Sequence, residues 1–491
     1  MLFPSLSEVK HLAETYKSIP VFYEVLADSC SPVQIMSAVA DLSENSFMLE
    51  SVENSEQWGR YSFIGICPKM EISIQDGLAE VTADGRTTAT RVGNPVAFLS
   101  EIAGRYHAPQ FSGRPKFTGG LIGYFGYDTV RYIEPRLANV PQDDLGMPDC
   151  HLFLFDEIIA YDHLASKTII ILNIPAGTED LARAYAACGH RAQALAGLIA
   201  HYVPSPDKKA PFSGEIKVKS NMTREQYIAN VRRAQDYIAE GDIFQVVLSQ
   251  RFEVENPPAP FDVYRCLRSA NPSPYLYYFK FKDYQVAGAS PEMLVNVTDG
   301  IVSTRPIAGT VRRGATEEED SRLRRQMLND PKERAEHTML VDLGRNDVGK
   351  VSEFGTVEVT DFMKVESYSK VSHLVSNVRG KLAKDKSALD ALMAVLPAGT
   401  LSGAPKVRAM EIIDELENRK RSLYGGTVGY IGFDGNIDTC IAIRTVLFRH
   451  GKAYVQAGAG IVADSVPENE FTETENKALA VINAIKEAAA L

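Results

Sequence analysis

The order of the predicted strands and helices is the feature that most constrains the fold of this chain. Predicted strands come in blocks, one between residues 21 and 173 and another from residue 243 onward, and do not alternate one by one with helices. A doubly wound parallel sheet needs that alternation, whereas blocks of strands are typical of antiparallel sheets. The sequence therefore predicts an α+β fold with large antiparallel sheets.

A short polar segment separates the two blocks. Residues 203–211 read Val-Pro-Ser-Pro-Asp-Lys-Lys-Ala-Pro, a composition that indicates a linker. A chain of 491 residues also exceeds one ordinary hydrophobic core. We therefore predict an N-terminal region at 1–205 and a second region at 215–491.

The composition argues against several classes of protein. The 52 basic and 63 acidic residues give a net charge of −11 without a basic cluster, so neither a nucleic acid nor an anionic membrane is the expected partner. No uncharged apolar run reaches the roughly 18 residues of a membrane span. The six cysteines form no C-x-x-C pair, which argues against a zinc site and fits a reducing compartment. We expect a cytoplasmic protein.

A helix with two glutamates on one face is predicted near the middle of the chain. Asp330 and Pro331 form a helix start, and Gly344 is predicted to end the helix. Glu333 and Glu336 are three residues apart and share a face, where a buried carboxylate needs a partner or a metal ion. The alternative is that Glu333 completes a capping box with Asp330 and that Glu336 is solvated.

A second pair of glutamates begins the C-terminal helix. Ser465 and Glu468 are predicted to form the capping box, which leaves Glu470 and Glu473 free on one face. Two helices that each present such a pair could converge on one divalent cation, and Mg²⁺ usually takes one or two protein carboxylates together with water and substrate. The alternative is that both pairs are solvated.

Anion-binding groups follow in the second region. The glycines Gly458 and Gly460 can offer backbone N–H groups to an anion, and residues 398–405 lead into a helix start. Arg444 is predicted on an apolar strand at 440–448, where it needs an anionic partner. These features indicate a small polyanionic ligand that is held by a cation, an arginine and backbone amides.

Two other features have a structural explanation beside a functional one. His373 is a lone histidine, and such residues are more often structural than catalytic. The strand at 118–127 contains four glycines, which favours close backbone packing or a bulge over a ligand role.

Four motifs in order resemble the chorismate-utilising enzymes, and most closely the large subunits of anthranilate synthases. They lie at 330–337, 398–406, 429–439 and 456–462. The resemblance implies a large α/β/β/α sandwich of mainly antiparallel sheets, with the N-terminal half packed on the catalytic half. It implies that chorismate is the substrate, whose two carboxylates account for the anion-binding groups.

The same resemblance implies binding roles for individual residues. Glu336 and Glu473 are similar to the Mg²⁺ ligands that hold the ring carboxylate, with Glu333 and Glu470 as their neighbours. The residues that resemble those binding the enolpyruvyl carboxylate are Tyr424, Arg444, Gly458 and Gly460.

It also implies catalytic roles. Glu292 resembles the general acid that protonates the leaving ring hydroxyl, and burial should raise the pKa of its carboxyl so that it is protonated near neutral pH. Thr310 and Thr400 would position the substrate. His373 would assist the later elimination of pyruvate.

Two positions distinguish among members of the family. Gln245 stands where the isochorismate and salicylate enzymes carry a water-activating lysine, and an amide suits ammonia, which is already a nucleophile. Ala308 stands where many aminodeoxychorismate synthases carry lysine, so anthranilate is favoured over 4-amino-4-deoxychorismate. The expected reaction is addition of ammonia to C2 with loss of the C4 hydroxyl, followed by elimination of pyruvate.

The nitrogen source is expected on another chain. No cysteine lies in a Gly-x-Cys-x-Gly elbow like that of a glutamine amidotransferase. The resemblance therefore implies a hetero-oligomer in which a separate glutaminase subunit, component II, delivers ammonia. Aminodeoxychorismate synthase component I and a non-catalytic, tryptophan-binding regulatory subunit are the alternatives.

The resemblance also implies a feedback site for tryptophan in the N-terminal region. Glu50 could pair with the ammonium group and Ser51 could hydrogen-bond it. The alternative is that Glu50 pairs with Arg60. The other residues of the expected inhibitor site are Pro274, Tyr275, Leu276 and Cys440.

Overall fold

A computed structural model describes residues 2–27, 30–51, 59–203, 212, 214–368 and 371–491. The predicted linker therefore lies almost entirely outside the described residues, from 204 to 211. The α-helices within the described ranges are α1 (Leu6–Leu12), α2 (Pro32–Val39), α3 (Pro95–Ala103), α4 (Leu181–Ala200), α5 (Arg224–Ala239), α6 (Pro260–Ala270), α7 (Glu317–Asn329), α8 (Pro331–Gly349), α9 (Ala388–Val395), α10 (Lys406–Leu416) and α11 (Pro467–Ala488). Short 3₁₀ helices are Ala40–Leu42, Tyr127–Tyr132 and Gly399–Leu401.

The strands fall into two groups, one before and one after the linker. Those before the linker are β1 (Leu2–Phe3), β2 (Ser18–Leu26), β3 (Ser46–Glu50), β4 (Tyr61–Ile66), β5 (Met70–Gln75), β6 (Leu78–Ala83), β7 (Arg86–Arg91), β8 (Gly120–Phe125), β9 (Cys150–Phe155), β10 (Glu157–Asp162) and β11 (Lys167–Pro175). Those after it are β12 (Lys217–Ser220), β13 (Gln245–Glu255), β14 (Tyr275–Phe281), β15 (Tyr284–Ser290), β16 (Met293–Thr298), β17 (Ile301–Thr304), β18 (Ile307–Arg312), β19 (Glu358–Ser367), β20 (Val371–Lys381), β21 (Gly403–Ala404), β22 (Thr427–Gly432), β23 (Ile437–Ile441), β24 (Thr445–Arg449) and β25 (Lys452–Ile461).

These strands form two large antiparallel sheets. The first sheet has the order β1-β2-β11-β10-β4-β3-β14-β15-β24-β25-β13-β12, with β21 paired to β13. The second has the order β18-β20-β17-β16-β23-β22-β8-β9-β5-β6-β7, with β19 paired to β20. Both sheets contain strands from before and after the linker, joined at β3–β14 in the first sheet and at β8–β22 in the second.

Three apolar cores define the layers. Aromatic side chains of both sheets, including Phe47, Phe153 and Tyr277, pack against each other between the sheets. The outer face of the first sheet packs against α2, α4, α6 and α11, and that of the second packs against α3, α8 and α9. The order helix, sheet, sheet, helix confirms the predicted α/β/β/α sandwich. No helix in the described part of the chain is long and apolar enough to cross a membrane.

The predicted start of α8 is confirmed, but its predicted end is wrong. The Asp330 carboxylate accepts hydrogen bonds from the backbone N–H groups of Lys332 and Glu333, as an N-cap does. The helix runs past Gly344 to Gly349. Gly344 therefore lies inside the helix. A β-carbon at this position would lie 3.2 Å from Cγ2 of Thr304 and 3.3 Å from Cγ of Pro306, so glycine lets the helix pack closely against these residues.

The predicted capping box of the C-terminal helix is also wrong. The N-cap of α11 is Val466, which provides no side-chain hydrogen bond. The Ser465 hydroxyl instead accepts a hydrogen bond from the backbone N–H of Val462 at 3.1 Å, so it closes the loop before the helix.

The glycine-rich strand β8 is explained by close backbone packing. A β-carbon at Gly120 would lie 2.0 Å from the carbonyl oxygen of Ile431, and one at Gly123 would lie 2.1 Å from that of His151. The structural explanation of these glycines is therefore confirmed, since no other residue fits between β22 and β9.

Candidate active site

The residues predicted to form the site lie around one cavity of about 800 Å³. It is lined by α8 and α11, by the ends of β13, β18 and β25, and by the chain segments that cross between the sheets. All residues predicted as catalytic, substrate-binding or metal-binding line it: Gln245, Glu292, Thr310, Glu333, Glu336, His373, Thr400, Tyr424, Arg444, Gly458, Gly460, Glu470 and Glu473.

Two of these residues mark the points where the chain passes from one sheet to the other. Glu292 lies between β15 of the first sheet and β16 of the second. Arg444 lies between β23 of the second sheet and β24 of the first. The site therefore forms where the sheets diverge, and side chains from both can reach a single ligand.

The predicted strand through Arg444 is wrong in detail. The segment 440–448 is broken, and Arg444 has a φ of +52°, in the left-handed region that few non-glycine residues adopt. Its carbonyl accepts a hydrogen bond from the backbone N–H of Ala289, and its Nη1 donates one to the carbonyl of Lys477 at 2.9 Å. The guanidinium is therefore fixed at the cavity wall, and burial lowers its pKa.

Glu292 has the environment expected of a neutral carboxyl. Burial raises its pKa to about 7, and this agrees with the prediction that burial raises it. The Thr400 hydroxyl donates a hydrogen bond of 2.9 Å to Oε1 of Glu292, and the ammonium of Lys477 acts on it through space; both interactions favour the charged form. The carboxyl can therefore exist in either protonation state near neutral pH.

His373 is held in one tautomer by its surroundings. Its Nδ1 lies 3.0 Å from the carbonyl oxygen of Gly309 and 3.0 Å from the Thr310 hydroxyl. A carbonyl only accepts hydrogen bonds, so Nδ1 carries the proton and Nε2 is an acceptor. Burial, together with the charge of Arg444, lowers the pKa of the imidazole and keeps it neutral.

Gln245 presents an unpaired amide oxygen. The residue is 4% exposed, and its Oε1 has no hydrogen-bond partner among the described residues. A β-carbon at Gly460 would lie 2.8 Å from Nε2 of Gln245, so the glycine makes room for the amide. A buried polar atom without a partner is costly, and a ligand with an N–H group would satisfy it.

The strand β25 presents its glycines beside Tyr424. It pairs with β24 only up to Val455, whereas its pairing with β13 continues to Ile461. A β-carbon at Gly458 would lie 2.8 Å from the Tyr424 hydroxyl and 2.8 Å from the carbonyl of Leu248. Glycine therefore keeps this part of the cavity open beside Arg444.

The four glutamates line the cavity from two helices. Glu333 and Glu336 lie on α8, and Glu470 and Glu473 lie on α11. The pKa of Glu336 is raised by burial and then by the neighbouring Glu333 and Glu473 carboxylates, and that of Glu470 is raised by burial and by Glu473. The capping-box alternative for Glu333 is wrong, because the backbone N–H of Asp330 donates to the carbonyl of Met327 and not to the Glu333 carboxylate. Burial also raises the pKa of Glu333.

This donor set fits one divalent cation. The Glu473 carboxylate on α11 raises the pKa of Glu336 on α8, a repulsion that a cation would relieve, and Mg²⁺ needs only one or two protein carboxylates. Among the described residues no group of three or more potential ligands is close enough to hold a metal by itself. Substrate or water oxygens would have to complete its coordination.

Lys477 is a cavity residue that the sequence did not point to. Its Nζ lies 2.6 Å from Oε1 of Glu473 and donates a hydrogen bond of 3.0 Å to the carbonyl of Gly458. It follows Glu473 by four residues on α11, so the helical spacing from a chosen ligand could have found it. Lys477 adds a second cation to the cavity beside Arg444.

The six residues expected at the inhibitor site do not share one face: five lie on or beside β3 and β14 of the first sheet, and Cys440 lies on β23 of the second. Leu276 packs in the outer core under the helices, whereas Tyr275 and Cys440 pack between the sheets. Ser51 follows β3, and its buried hydroxyl has no hydrogen-bond partner among the described residues. Pro274 lines the large cavity.

Glu50 is already paired, and not with Arg60. Its carboxylate accepts hydrogen bonds from Nε of Arg268 at 2.7 Å and from the Tyr264 hydroxyl at 2.6 Å. Arg60 instead binds Asp162 through two nitrogens. The expected alternative of a Glu50–Arg60 pair is therefore wrong, because α6 supplies the partner.

Comparison with known proteins agrees with this geometry. The family model described as chorismate binding enzyme matches residues 45–483. Anthranilate synthase component 1 of Acetivibrio thermocellus is 50% identical over 99% of both chains, and that of Pseudomonas aeruginosa is 49% identical over 96% of both. The crystal structure of anthranilate synthase component I from Streptococcus pneumoniae has a TM-score of 0.76 at 38% identity, covering 93% of this chain and 98% of that one. The chain therefore belongs to the family of chorismate binding enzymes.

Proposed function

We propose that this protein is the large subunit of an anthranilate synthase, which converts chorismate and ammonia into anthranilate and pyruvate. The observation that carries the proposal is that one cavity is lined both by the carboxyl of Glu292 and by the amide of Gln245, whose oxygen has no hydrogen-bond partner among the described residues. Gln245 cannot activate water as a lysine could, but Oε1 can accept an N–H of ammonia. Similarity over the whole length to proteins named anthranilate synthase component 1 supports the same reaction.

The first step joins nitrogen to the ring. The ammonia lone pair forms the C2–N bond, the ring double bonds shift, and the C4–O bond breaks. Glu292 gives its proton to the departing oxygen, which leaves as water; the ammonium formed on C2 then releases one proton to solvent, and Glu292 takes one up, so the amine and the acid are both restored. The raised pKa of Glu292 keeps a large fraction protonated near neutral pH, and the Thr400 hydrogen bond stabilises the carboxylate that remains.

The second step makes the ring aromatic. A base removes the C2 proton, the C3–O bond breaks, and the side chain leaves as pyruvate after its methylene carbon takes up a proton. We assign the ring proton to Nε2 of His373, since Nδ1 is committed to the Gly309 carbonyl. The neutral imidazole favoured by burial is the form that can accept it.

Anion binding in the cavity fits the two carboxylates of chorismate. Arg444, with Tyr424 and the open glycine strand at Gly458 and Gly460, would hold the carboxylate of the enolpyruvyl group. Glu336 and Glu473 would hold Mg²⁺, with Glu333 and Glu470 beside them. When bound, the ion would neutralise the ring carboxylate.

Ammonia would come from a glutaminase subunit that binds this chain. The name component 1 of the relatives implies a second component. We therefore propose a hetero-oligomer, with the isolated chain dependent on ammonium salts. A cytoplasmic location is part of the proposal, supported by six unpaired cysteines.

Tryptophan inhibition would use the part of the expected site that lies between the sheets. Ser51 supplies a hydroxyl that has no hydrogen-bond partner among the described residues. Tyr275 and Cys440 lie in the core between the sheets, and Glu50, whose carboxylate is already paired, would contribute through its backbone. Cys440 is opposite Met293, and the N–H of the following residue donates to the carbonyl of Glu292 at 2.9 Å. A ligand there would therefore act on the segment that carries Glu292.

Magnesium-dependent consumption of chorismate by the isolated chain tests the catalytic part of this proposal. Purified protein is mixed with chorismate, an ammonium salt and either Mg²⁺ or a chelator. Turnover that depends on Mg²⁺ and is lost in Glu292→Gln is expected. A chain that binds tryptophan but consumes no chorismate would instead be a regulatory subunit.

A further inference from the structure

A buried ion pair lies directly behind the cavity. Nε of Arg421 donates to Oε2 of Glu417 at 2.8 Å, and Nη2 lies 2.5 Å from Oε1. The two side chains are 2% and 4% exposed, and neither lines the cavity. Neither residue can therefore touch a substrate there.

The remaining hydrogen bonds of Arg421 go to two segments that do line the cavity. Nη1 donates to the carbonyl of Leu401 at 2.6 Å, and Nη2 donates to that of Val247 at 2.7 Å. Leu401 follows Thr400 in its 3₁₀ turn, and Val247 lies two residues after Gln245 on β13. One guanidinium thus ties the Thr400 turn to the Gln245 strand.

Glu417 extends the same network to the glycine strand. Its Oε1 accepts hydrogen bonds of 2.8 Å from both the backbone N–H and the hydroxyl of Ser249. Ser249 is the partner of Gly458 in the β13–β25 register, and Gln456 donates to the Ser249 hydroxyl at 2.8 Å. The pair therefore fixes the register on which the open glycines depend.

Tyr424 is attached to the pair as well. Its backbone N–H donates to the carbonyl of Arg421 at 3.1 Å, and the guanidinium of Arg421 lies 5.5 Å from the centre of its ring. Segments that present Thr400, Gln245, Gly458 and Tyr424 to the cavity consequently meet at two charged side chains.

Stability alone does not explain this arrangement. A buried ion pair loses so much hydration that well-packed apolar residues often serve stability as well or better. An apolar pair could not, however, hold the Leu401 and Val247 carbonyls and the Ser249 amide in one fixed geometry. We propose that Glu417 and Arg421 are positioning residues, which hold the Thr400 hydroxyl against Glu292 and the Gln245 amide against Gly460.

The proposal rests on the assignment of Glu292 as the acid, and it predicts a change in pH dependence. Among the described residues, the groups that act on Glu292 are the Thr400 hydroxyl and the Lys477 ammonium, and both favour its carboxylate. Weakening the Thr400 contact raises the pKa of Glu292 further. The fall of kcat at high pH, where the acid loses its proton, then moves to higher pH.

The test compares three variants with the full-length wild type: Arg421→Lys, the double variant Glu417→Met/Arg421→Met, and Thr400→Val as the reference. For each, kcat and the KM values for chorismate and ammonia are measured against pH at a fixed concentration of free ammonia. Thermal unfolding is followed in parallel. The double variant leaves no unpaired buried charge, so it controls for the instability of a single substitution.

A positioning role predicts that in both pair variants the fall of kcat on the basic side moves to higher pH, as in Thr400→Val. It also predicts that kcat is lowered about tenfold or more and that the KM for ammonia is raised several-fold. A purely structural role predicts lower thermal stability with kcat per folded molecule and pH profile unchanged, and this would overturn the proposal. If the wild type shows no basic limb, the acid assignment fails, and the KM for ammonia alone then decides the positioning role.

Discussion

The hydroxyl of Thr400 donates a hydrogen bond of 2.9 Å to Oε1 of Glu292, at the point where the chain passes from the first sheet to the second. Burial favours the neutral carboxyl and this hydrogen bond favours the carboxylate, so the two effects oppose each other. The balance leaves a pKa of about 7, which suits a group that gives up a proton during turnover.

We expect kcat, at a fixed concentration of free ammonia, to fall as the pH rises through about 7. The acid form of Glu292 is the protonated one, and its fraction decreases above the pKa. Thr400→Val removes an interaction that stabilises the carboxylate, so the decrease of kcat should move to higher pH. If kcat falls at a lower pH in Thr400→Val than in wild type, or still falls near pH 7 in Glu292→Gln, another group titrates.

Glu336→Gln should lower turnover at limiting Mg²⁺ by about a hundredfold or more, because an anionic ligand is lost and the ring carboxylate is poorly neutralised. The fold should be retained, since Glu336 makes no hydrogen bond that the helix α8 needs. Calorimetric titration with Mg²⁺ in the presence of chorismate measures the binding directly. The matched control is Glu475→Gln on the exposed face of α11, and equal effects of both variants would refute the ligand assignment.

Gly458→Ala should raise the KM for chorismate about tenfold or more. Its β-carbon would lie 2.8 Å from the Tyr424 hydroxyl and from the Leu248 carbonyl, so the enolpyruvyl pocket must shift or close. Gly197→Ala, in open space on α4, is the control and should be neutral or slightly stabilising. Unchanged steady-state kinetics in Gly458→Ala would mean that the substrate does not approach β25.

Ser51→Leu should fill the pocket and abolish inhibition by tryptophan, while chorismate turnover stays within about threefold of wild type because Ser51 does not line the catalytic cavity. The coupling that is lost would amount to about 1–3 kcal/mol. The inhibition constants of wild type and variant are compared at one chorismate concentration. Ser7→Leu, on the exposed surface of α1, is the matched control. Equal inhibition of Ser51→Leu and wild type would place tryptophan elsewhere, and a wild type insensitive at millimolar tryptophan would indicate a degenerate site.

The sequence was sufficient to predict the layers of the fold and the membership of the cavity. Helix starts such as Asp330 are decided by local hydrogen bonds, so they can be read from neighbouring residues. Several cavity residues, such as Glu336, Thr400 and Gly458, lie within the four motifs, and the family resemblance that these motifs carry located Glu292 and Arg444 as well.

What could not be predicted depends on contacts between distant parts of the chain. Gly344 resembles a helix end, but packing against Thr304 and Pro306 explains it better. Glu50 finds Arg268, which is 218 residues away, where sequence reasoning could only suggest the nearby Arg60. Such partners depend on which strands and helices become neighbours in the fold, and this cannot be predicted from the spacing of residues along the chain.

The inhibitor site was the least accurate part of the expectation for the same reason. Adjacent residues on a strand point to opposite faces, so Tyr275 and Leu276 cannot both face the same ligand through their side chains. The register that pairs Leu276 with Glu50 became visible only in the structure.

The identity of the product made by the isolated chain tests the central claim most directly. Purified protein is incubated with chorismate, Mg²⁺ and an ammonium salt at alkaline pH, and the products are separated and identified by mass and fluorescence. The account predicts anthranilate and pyruvate in equal amounts, with glutamine unable to replace ammonium until a glutaminase subunit is added. Formation of 4-amino-4-deoxychorismate or isochorismate in place of anthranilate, or glutamine-dependent product from the chain alone, would contradict it.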